Sequence, residues 1–286
     1  MDQRVKYMTA FYIILVVFLA ISLNQSSRIL RVLGTLTAAS ALIMIAYSIF
    51  IANFDGTFAA IPADAGLDDR IKPFVLNGQA TIALIAALFL LWATWAQGQR
   101  HVDGALPLRN TDAVFGRVSR YAHWVIGLLI LILLPMGLLV SVLAPDHPAR
   151  PAYLGTHQML GLTVLLLVVL RVLWLVKSPA PPMRESLDPK LRKLAKATHL
   201  GLYGLMLGFP MTGVLLTVWS GGVLDVFGWS LNSVFAPNAE LAPIAAFLHN
   251  LVLPAVFYVA IFAHLGAVTK HHFAERRPLE VRRMLR

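Results

Sequence analysis

The chain alternates between long apolar runs and short polar segments. Seven runs are long enough to cross a bilayer as helices, since a membrane core needs about 20 apolar residues. None contains Asp, Glu or Lys, and the only Arg is Arg171 in the fifth run. The runs cover residues 8–23, 32–54, 74–96, 121–143, 157–176, 198–219 and 247–269. Because backbone groups in lipid must be paired within their own segment, the pattern predicts seven membrane helices and not the short alternating strands of a barrel.

The first run also has features of a signal peptide. Arg4 and Lys6 precede it, and small residues occur between Leu19 and Ser22. No A-x-A cleavage site follows, and apolar sequence resumes at once, so we expect a membrane span. The alternative is that this run is a signal peptide and is cleaved off.

Charge is scarce and unevenly placed. Charged residues make up 13% of the chain, about half the share of a soluble domain, and the hydrophobic share is 58%. This balance excludes a soluble enzyme and a disordered chain. If the N-terminus is outside, 19 of the 24 Lys and Arg residues lie on the inner side. The net charge of +10 therefore indicates membrane topology and not nucleic-acid binding, with the N-terminus periplasmic and the C-terminus cytoplasmic.

Cysteine is absent, which excludes disulfides, thiolate-bound iron–sulfur clusters and covalent c-type haem. All nine histidines lie at or after residue 101. We therefore predict three parts: a three-helix extension without metal ligands over 1–98, a basic linker over 99–118, and a four-helix domain over 119–286.

Five histidines lie within the last four spans, where an ionisable side chain indicates a functional site. They are His123, His157, His199, His249 and His264. The alternating direction of the helices places His157 and His249 near the outer face and the other three near the inner face. On an ideal helix, the 15 residues between His249 and His264 leave them about 60° apart, roughly on one face. The alternative is that each is an interfacial histidine with one wet edge.

Pairs of neutral imidazoles among apolar residues suit six-coordinate haem b better than zinc, which favours tetrahedral sites. Gly127 follows His123 by four positions, and Gly161 follows His157 by four. Each glycine leaves bare backbone on the histidine's side of the helix, where a porphyrin could lie. Ordinary small-residue helix packing is the alternative for both.

Four stretches in the last 60% of the chain, about residues 115–286, carry distinctive motifs. They are Arg120-Tyr121-Ala122-His123-Trp124, His157-Gln158-Met159-Leu160-Gly161 with Leu170-Arg171, Thr198-His199-Leu200-Gly201 with Pro210, and Leu248-His249 with Ala263-His264 and Lys270-His271. Together they resemble the bacterial cytochrome b561 family and the related b-type cytochrome subunits of nickel–iron hydrogenases. Each motif is weak alone, but all four recur in the family's order and spacing.

The resemblance implies an all-α membrane protein with a four-helix bundle that holds two b haems and moves electrons to or from quinone. It assigns His123 and His264 to the inner haem, and His157 and His249 to the outer haem. His199 would then be a neighbour of a ligand or part of a substrate site. Basic side chains near the inner face are candidates for pairing with haem propionates. They are Arg171, Lys270 and His271.

The family's outer partner would be a periplasmic redox protein or a small oxidant or reductant such as superoxide, and its location the bacterial inner membrane. The extra helices over 1–98 depart from the family and offer a surface for a second copy or a complex partner. Two alternatives stay open. One is a haem-bearing anchor subunit of a hydrogenase or another dehydrogenase, and the other is a haem-free transporter or membrane scaffold.

Overall fold

The computed structural model describes residues 3–23, 28–54, 77, 80–81, 84, 87–88, 91, 106–182, 189–226, 229–230, 232, 234, 236–270 and 284. These residues are almost entirely helical. The long helices are α1 (Gln3–Leu23), α2 (Arg28–Phe54), α3 (Arg117–Val142), α4 (Arg150–Lys177) and α5 (Pro189–Trp219). After a two-stranded antiparallel hairpin of β1 (Asp225–Val226) and β2 (Trp229–Ser230), the last helix comprises α6 (Ala242–Phe247), a π-helical segment (Leu248–Val252) and α7 (Leu253–Thr269).

Five of the described helices are long and apolar enough to cross a membrane: Gln3–Ile21, Arg117–Val142, Arg150–Lys177, Pro189–Trp219 and Ala242–Val268. These confirm the first, fourth, fifth, sixth and seventh runs as helices. The second run lies in α2, which has 27 residues. The third run is helical at each of its described positions.

The described helices begin earlier than their apolar runs predicted, and the last three spans illustrate this. The helix of the fifth span starts at Arg150, that of the sixth at Pro189 and that of the seventh at Ala242. The reason is that composition marks only the part of a helix that lies in lipid, whereas the backbone continues through polar residues beyond it. Proline occupies the first turn of each, where its missing N–H leaves no hydrogen bond unmade.

The helix ends have local causes. α4 stops at Lys177, just before the predicted Pro-rich connector, because a residue that precedes proline avoids helical dihedrals. α5 ends in a Schellman motif, in which Gly221 has φ of +80°. There the Gly221 N–H donates to the Val218 carbonyl at 3.0 Å, and the Gly222 N–H donates to the Thr217 carbonyl at 2.8 Å.

The residues separate into two compact units. The first unit comprises Pro107–Ala122 and Gln158–Met284. The second comprises Asp2–Leu106 and His123–His157.

In the first unit, hydrogen bonds join the segment before α3 to the end of α4. The Asn110 N–H donates to the Ser178 hydroxyl at 2.9 Å, and the Asn110 amide donates to the Ser178 carbonyl at 2.7 Å. The side-chain oxygen of Asn110, Oδ1, accepts a hydrogen bond from the Gly116 N–H at 2.9 Å. One turn earlier on α4, the Trp174 indole donates to the Ser119 hydroxyl at 3.1 Å. This loop brings Arg120, which is only 2% exposed, against the Phe115 carbonyl.

In the second unit, the N-terminal helices pack through small side chains. Ala46 of α2 and Ala80 are fully buried and pack with Leu84, Leu138 and Val142. Gly155 of α4 lies so close to Val5 of α1 that an added side-chain carbon would be 2.8 Å from a Val5 methyl. Close approach of backbones over small residues is the usual basis of helix association in membranes.

Asn110→Ala should lower the stability of the folded protein by about 1–3 kcal/mol, because it leaves the Ser178 carbonyl and the Gly116 N–H without their partner. Equilibrium unfolding of the purified protein in detergent measures this loss of stability. Thr37→Ala is the control, since the Thr37 hydroxyl bonds only the Leu33 carbonyl of its own helix at an exposed position. Equal stability of the two variants would contradict the structural role of Asn110.

Candidate functional site

His249 contacts α5 through its ring nitrogen and its ring face. It lies in the π-helical segment, which ends where the Leu253 N–H donates to the Leu248 carbonyl five residues earlier. Pro254 follows at once and has no N–H to continue the regular α-helical ladder, which explains why the helix changes its hydrogen bonding here. Because the segment takes an extra residue per turn, the ideal-helix estimate of the angle between His249 and His264 does not hold across it.

The Nδ1 atom of His249 faces two oxygens of α5. It is 3.1 Å from the Phe209 carbonyl and 3.2 Å from the Thr212 hydroxyl. The carbonyl can only accept, and the Thr212 hydroxyl already donates to the same carbonyl at 2.7 Å. Both contacts therefore require Nδ1 to donate its proton, which leaves the lone pair on Nε2 for a metal.

The backbone and an aromatic ring flank the same imidazole. A side-chain carbon added at Gly213 would lie 2.8 Å from Cε1 of His249. The Phe209 ring meets the imidazole edge-on, with centroids 4.9 Å apart. Phe209 also packs against Phe257, which is 3% exposed.

His157 has a similar neighbour in the second unit. It lies two turns inside α4, and its ring rests against Gly137 of α3. An added carbon at Gly137 would be 2.9 Å from Cε1 of His157. The next residue, Gln158, belongs to the first unit, where its amide donates to the Thr217 hydroxyl of α5 at 3.3 Å.

His199 and His264 lie together in the first unit. Their ring centroids are 5.9 Å apart, and the rings are nearly perpendicular. His199 is exposed, and its Nδ1 is 2.7 Å from the Ala195 carbonyl of its own helix, so this nitrogen also donates. The structure therefore makes the surplus inner histidine a direct neighbour of a predicted ligand.

Arg171 of α4 reaches Tyr203 of α5. Its Nε donates to the tyrosine hydroxyl at 2.9 Å, and its guanidinium carbon lies 5.8 Å from the ring centroid. Tyr203 is one turn from His199 and shares its helix face. Arg171, Tyr203, His199 and His264 thus form a group, here called the inner polar cluster.

The remaining candidates are distributed as follows. The ring centroid of His123 lies 5.5 Å from that of Trp124, its neighbour in sequence. A side-chain carbon added at Gly127 or Gly161 would meet nothing within 4 Å, as at several other helical glycines. Lys270 is exposed at the end of α7. His271 lies outside the described residues.

Within the described part of the chain, no group of three or more His, Asp or Glu side chains could together hold a metal ion. The four predicted ligands are instead imidazoles spread over three helices: α3, α4 and the last helix. Of these, His249 has its Nδ1 turned toward α5, which suits ligation through Nε2.

Comparison with known proteins agrees with these features. Residues 114–286 match the family model described as prokaryotic cytochrome b561. The chain belongs to the prokaryotic cytochrome b561 family. It is similar to cytochrome b561 homolog 2 of Escherichia coli strain K12, with 29% identity over 168 residues that cover 58% of this chain and 89% of that protein. Cytochrome b561 homolog 1 of the same organism is 29% identical over 94 residues, which cover 33% of this chain and 53% of that protein.

Membership in the cytochrome b561 family, together with the apolar helices, makes this chain an all-helical, multi-pass integral membrane protein. The family transfers electrons across membranes by means of b-type haem. The matched region contains all five candidate histidines, whereas the first 113 residues lie outside the match.

Several residues of the site do not stand out in the sequence. Gly137 and Gly213 are two of 19 glycines and have no fixed spacing to the histidine that each one meets. Thr212 and Phe209 are ordinary membrane-helix residues, and only the fold brings them to His249. A weak signal was available in the prolines, since Pro135 and Pro210 precede the two glycines by two and three positions.

A double-mutant cycle tests the Arg171–Tyr203 contact. Arg171→Met and Tyr203→Phe should show a coupling of about 0.6–1.7 kcal/mol in unfolding free energy, because the double variant loses a bond that each single variant has already removed. Thr217→Val replaces Tyr203→Phe in the control cycle, since Thr217 bonds Gly213 and Gln158 and not Arg171. Equal coupling in both cycles would contradict a direct interaction.

Proposed function

We propose that this cytochrome b561 family member carries electrons across the bacterial cytoplasmic membrane through two b haems, between a quinone and a partner on the periplasmic side. The observation that carries the proposal is the setting of His249, whose Nδ1 donates to α5 and whose Nε2 is thereby prepared to bind a metal.

We propose His123 and His264 as the ligands of the inner haem, and His157 and His249 as those of the outer haem. Two lines of reasoning support this assignment: the depth of each histidine along its span, and the order of the motifs in the family. Gly127 and Gly161 would provide the bare backbone beside each haem, and an added methyl group at either position would enter that open space.

A b haem with two imidazole ligands accepts and gives up one electron without binding substrate at the iron. The protein's own residues determine how readily this happens. The hydrogen bond from His249 Nδ1 fixes the ring and increases its basicity, and Phe209, which packs on Phe257, covers one side of the ring. Together these contacts favour a fixed ligand over a mobile one.

We place the quinone end at the inner polar cluster. Quinone reduction consumes protons as well as electrons, and the cluster combines proton-carrying side chains with the candidate ligand His264. His199 is exposed and Tyr203 lies one turn away, with the Arg171 guanidinium on its hydroxyl. Lys270 and His271 would contribute positive charge at the same end of the protein, where haem propionates need partners.

The outer partner would be a periplasmic redox protein or a small molecule such as superoxide. The segment between α5 and α6 would cover the outer haem. In this segment the Asn232 amide donates to the Gly222 carbonyl at 2.7 Å, and the Asn238 N–H donates to the Trp219 carbonyl at 3.0 Å. These bonds hold the connection close to the end of α5. The distribution of basic residues supports a periplasmic N-terminus and a cytoplasmic C-terminus.

His249→Ala tests the ligand assignment. The variant should lose about half of the b-type absorbance in a reduced-minus-oxidised spectrum, because one of two haems loses an axial ligand. His147→Ala is the matched control, since His147 lies in the turn between α3 and α4 and its Nδ1 accepts from the Ala149 N–H. A His249→Ala variant with full haem content would contradict the assignment.

A further inference from the structure

We infer that Gly137 and Gly213 are positioning residues, each of which seats the imidazole of one outer ligand against bare helix backbone. The inference rests on the proposed function, in which His157 and His249 hold the outer haem. It adds two residues to which neither the resemblance nor the family match gives a role.

The distances leave no room for any side chain at these positions. An added carbon would stand 2.9 Å from Cε1 of His157 at Gly137 and 2.8 Å from Cε1 of His249 at Gly213. At Gly213 it would also be 3.3 Å from Nδ1 and 3.4 Å from Nε2. Real side-chain carbons do not approach other heavy atoms to less than 3.0 Å, so the imidazole ring would have to move.

The ring of His249 cannot move without cost. Its Nδ1 is held by the Phe209 carbonyl and the Thr212 hydroxyl, which lie on the same helix as Gly213. A methyl group at Gly213 would push the ring away from these two oxygens. The displaced ring would either lose its hydrogen bonds or point Nε2 in another direction.

The close contact is selective. In the described helices, Gly201, Gly204, Gly208 and Gly266 have nothing within 4 Å of an added carbon. Gly155 meets Val5, which is ordinary helix packing. Among the helical glycines whose surroundings the structure describes, only Gly137 and Gly213 meet an imidazole, and each meets a predicted outer ligand.

The contacts of Gly137 with His157 and of Gly213 with His249 have the same arrangement. In each case the histidine lies in the N-terminal part of its helix, and the glycine lies in the C-terminal half of the preceding long helix. Gly137 is on α3 and faces α4, whereas Gly213 is on α5 and faces the π segment. Backbone has no rotamers, so a glycine seat fixes the ring plane more firmly than a side chain would.

The test compares Gly137→Ala and Gly213→Ala with Gly204→Ala in the full-length protein purified in detergent. Three quantities are measured: haem per polypeptide, the electron paramagnetic resonance signals of the oxidised low-spin haems, and the thermal unfolding midpoint. The signals report the relative orientation of the two imidazole planes at each iron. They therefore respond to a rotated ligand even when the haem is retained.

Each seat variant should affect one haem and leave the other unchanged. We expect either loss of one haem, through an affinity about 10–100-fold weaker, or a shifted signal from that haem alone. Gly204→Ala should match the wild type in all three measurements. Haem content and signals equal to those of Gly204→Ala would overturn the inference. Loss of both haems with a lowered unfolding midpoint would also overturn it, because it would show a general packing role.

The wild-type measurement separates this inference from the proposed function. If the wild-type protein binds no haem, the proposed function fails and no seat is needed. If it binds two haems and the seat variants match the control, only the positioning role fails.

Discussion

A histidine within a membrane helix has two ring nitrogens and no water to satisfy them. If one nitrogen donates to a protein oxygen, the other keeps a lone pair that needs a partner of its own. His249 meets the first half of this requirement through the Phe209 carbonyl and the Thr212 hydroxyl. Iron would meet the second half. The π-helical turn before Pro254 and the close approach of Gly213 together place the ring here.

Small residues make this arrangement possible in both units. In the first unit, Gly213 leaves space for the His249 ring to lie against α5. In the second unit, Gly137 leaves space for the His157 ring to lie against α3. Gly155 likewise lets α1 pack closely against the start of α4. The extension thus packs beside the turn that carries His157, at Val5 and through the alanines that meet Leu138 and Val142.

The sequence predicts the helices well because lipid imposes length and apolar composition on them. It also singles out the histidines, since few other ionisable groups occur in the spans. It fails where contacts depend on helix rotation and local hydrogen bonding. The π segment altered the angle assumed between His249 and His264. The early starts at Arg150 and Pro189 moved His157 and His199 well inside their helices. The pairing of Arg171 with Tyr203 and the glycine contacts required side-chain positions that no spacing rule provides.

The number of b haems bound per polypeptide tests electron transfer through paired histidines most directly. The full-length protein is purified from membranes, its haem is quantified against protein, and a reduced-minus-oxidised spectrum is recorded. Ligation by four histidines predicts two haems per chain and a b-type alpha band. A purified, folded chain without that band would contradict the function proposed for this protein.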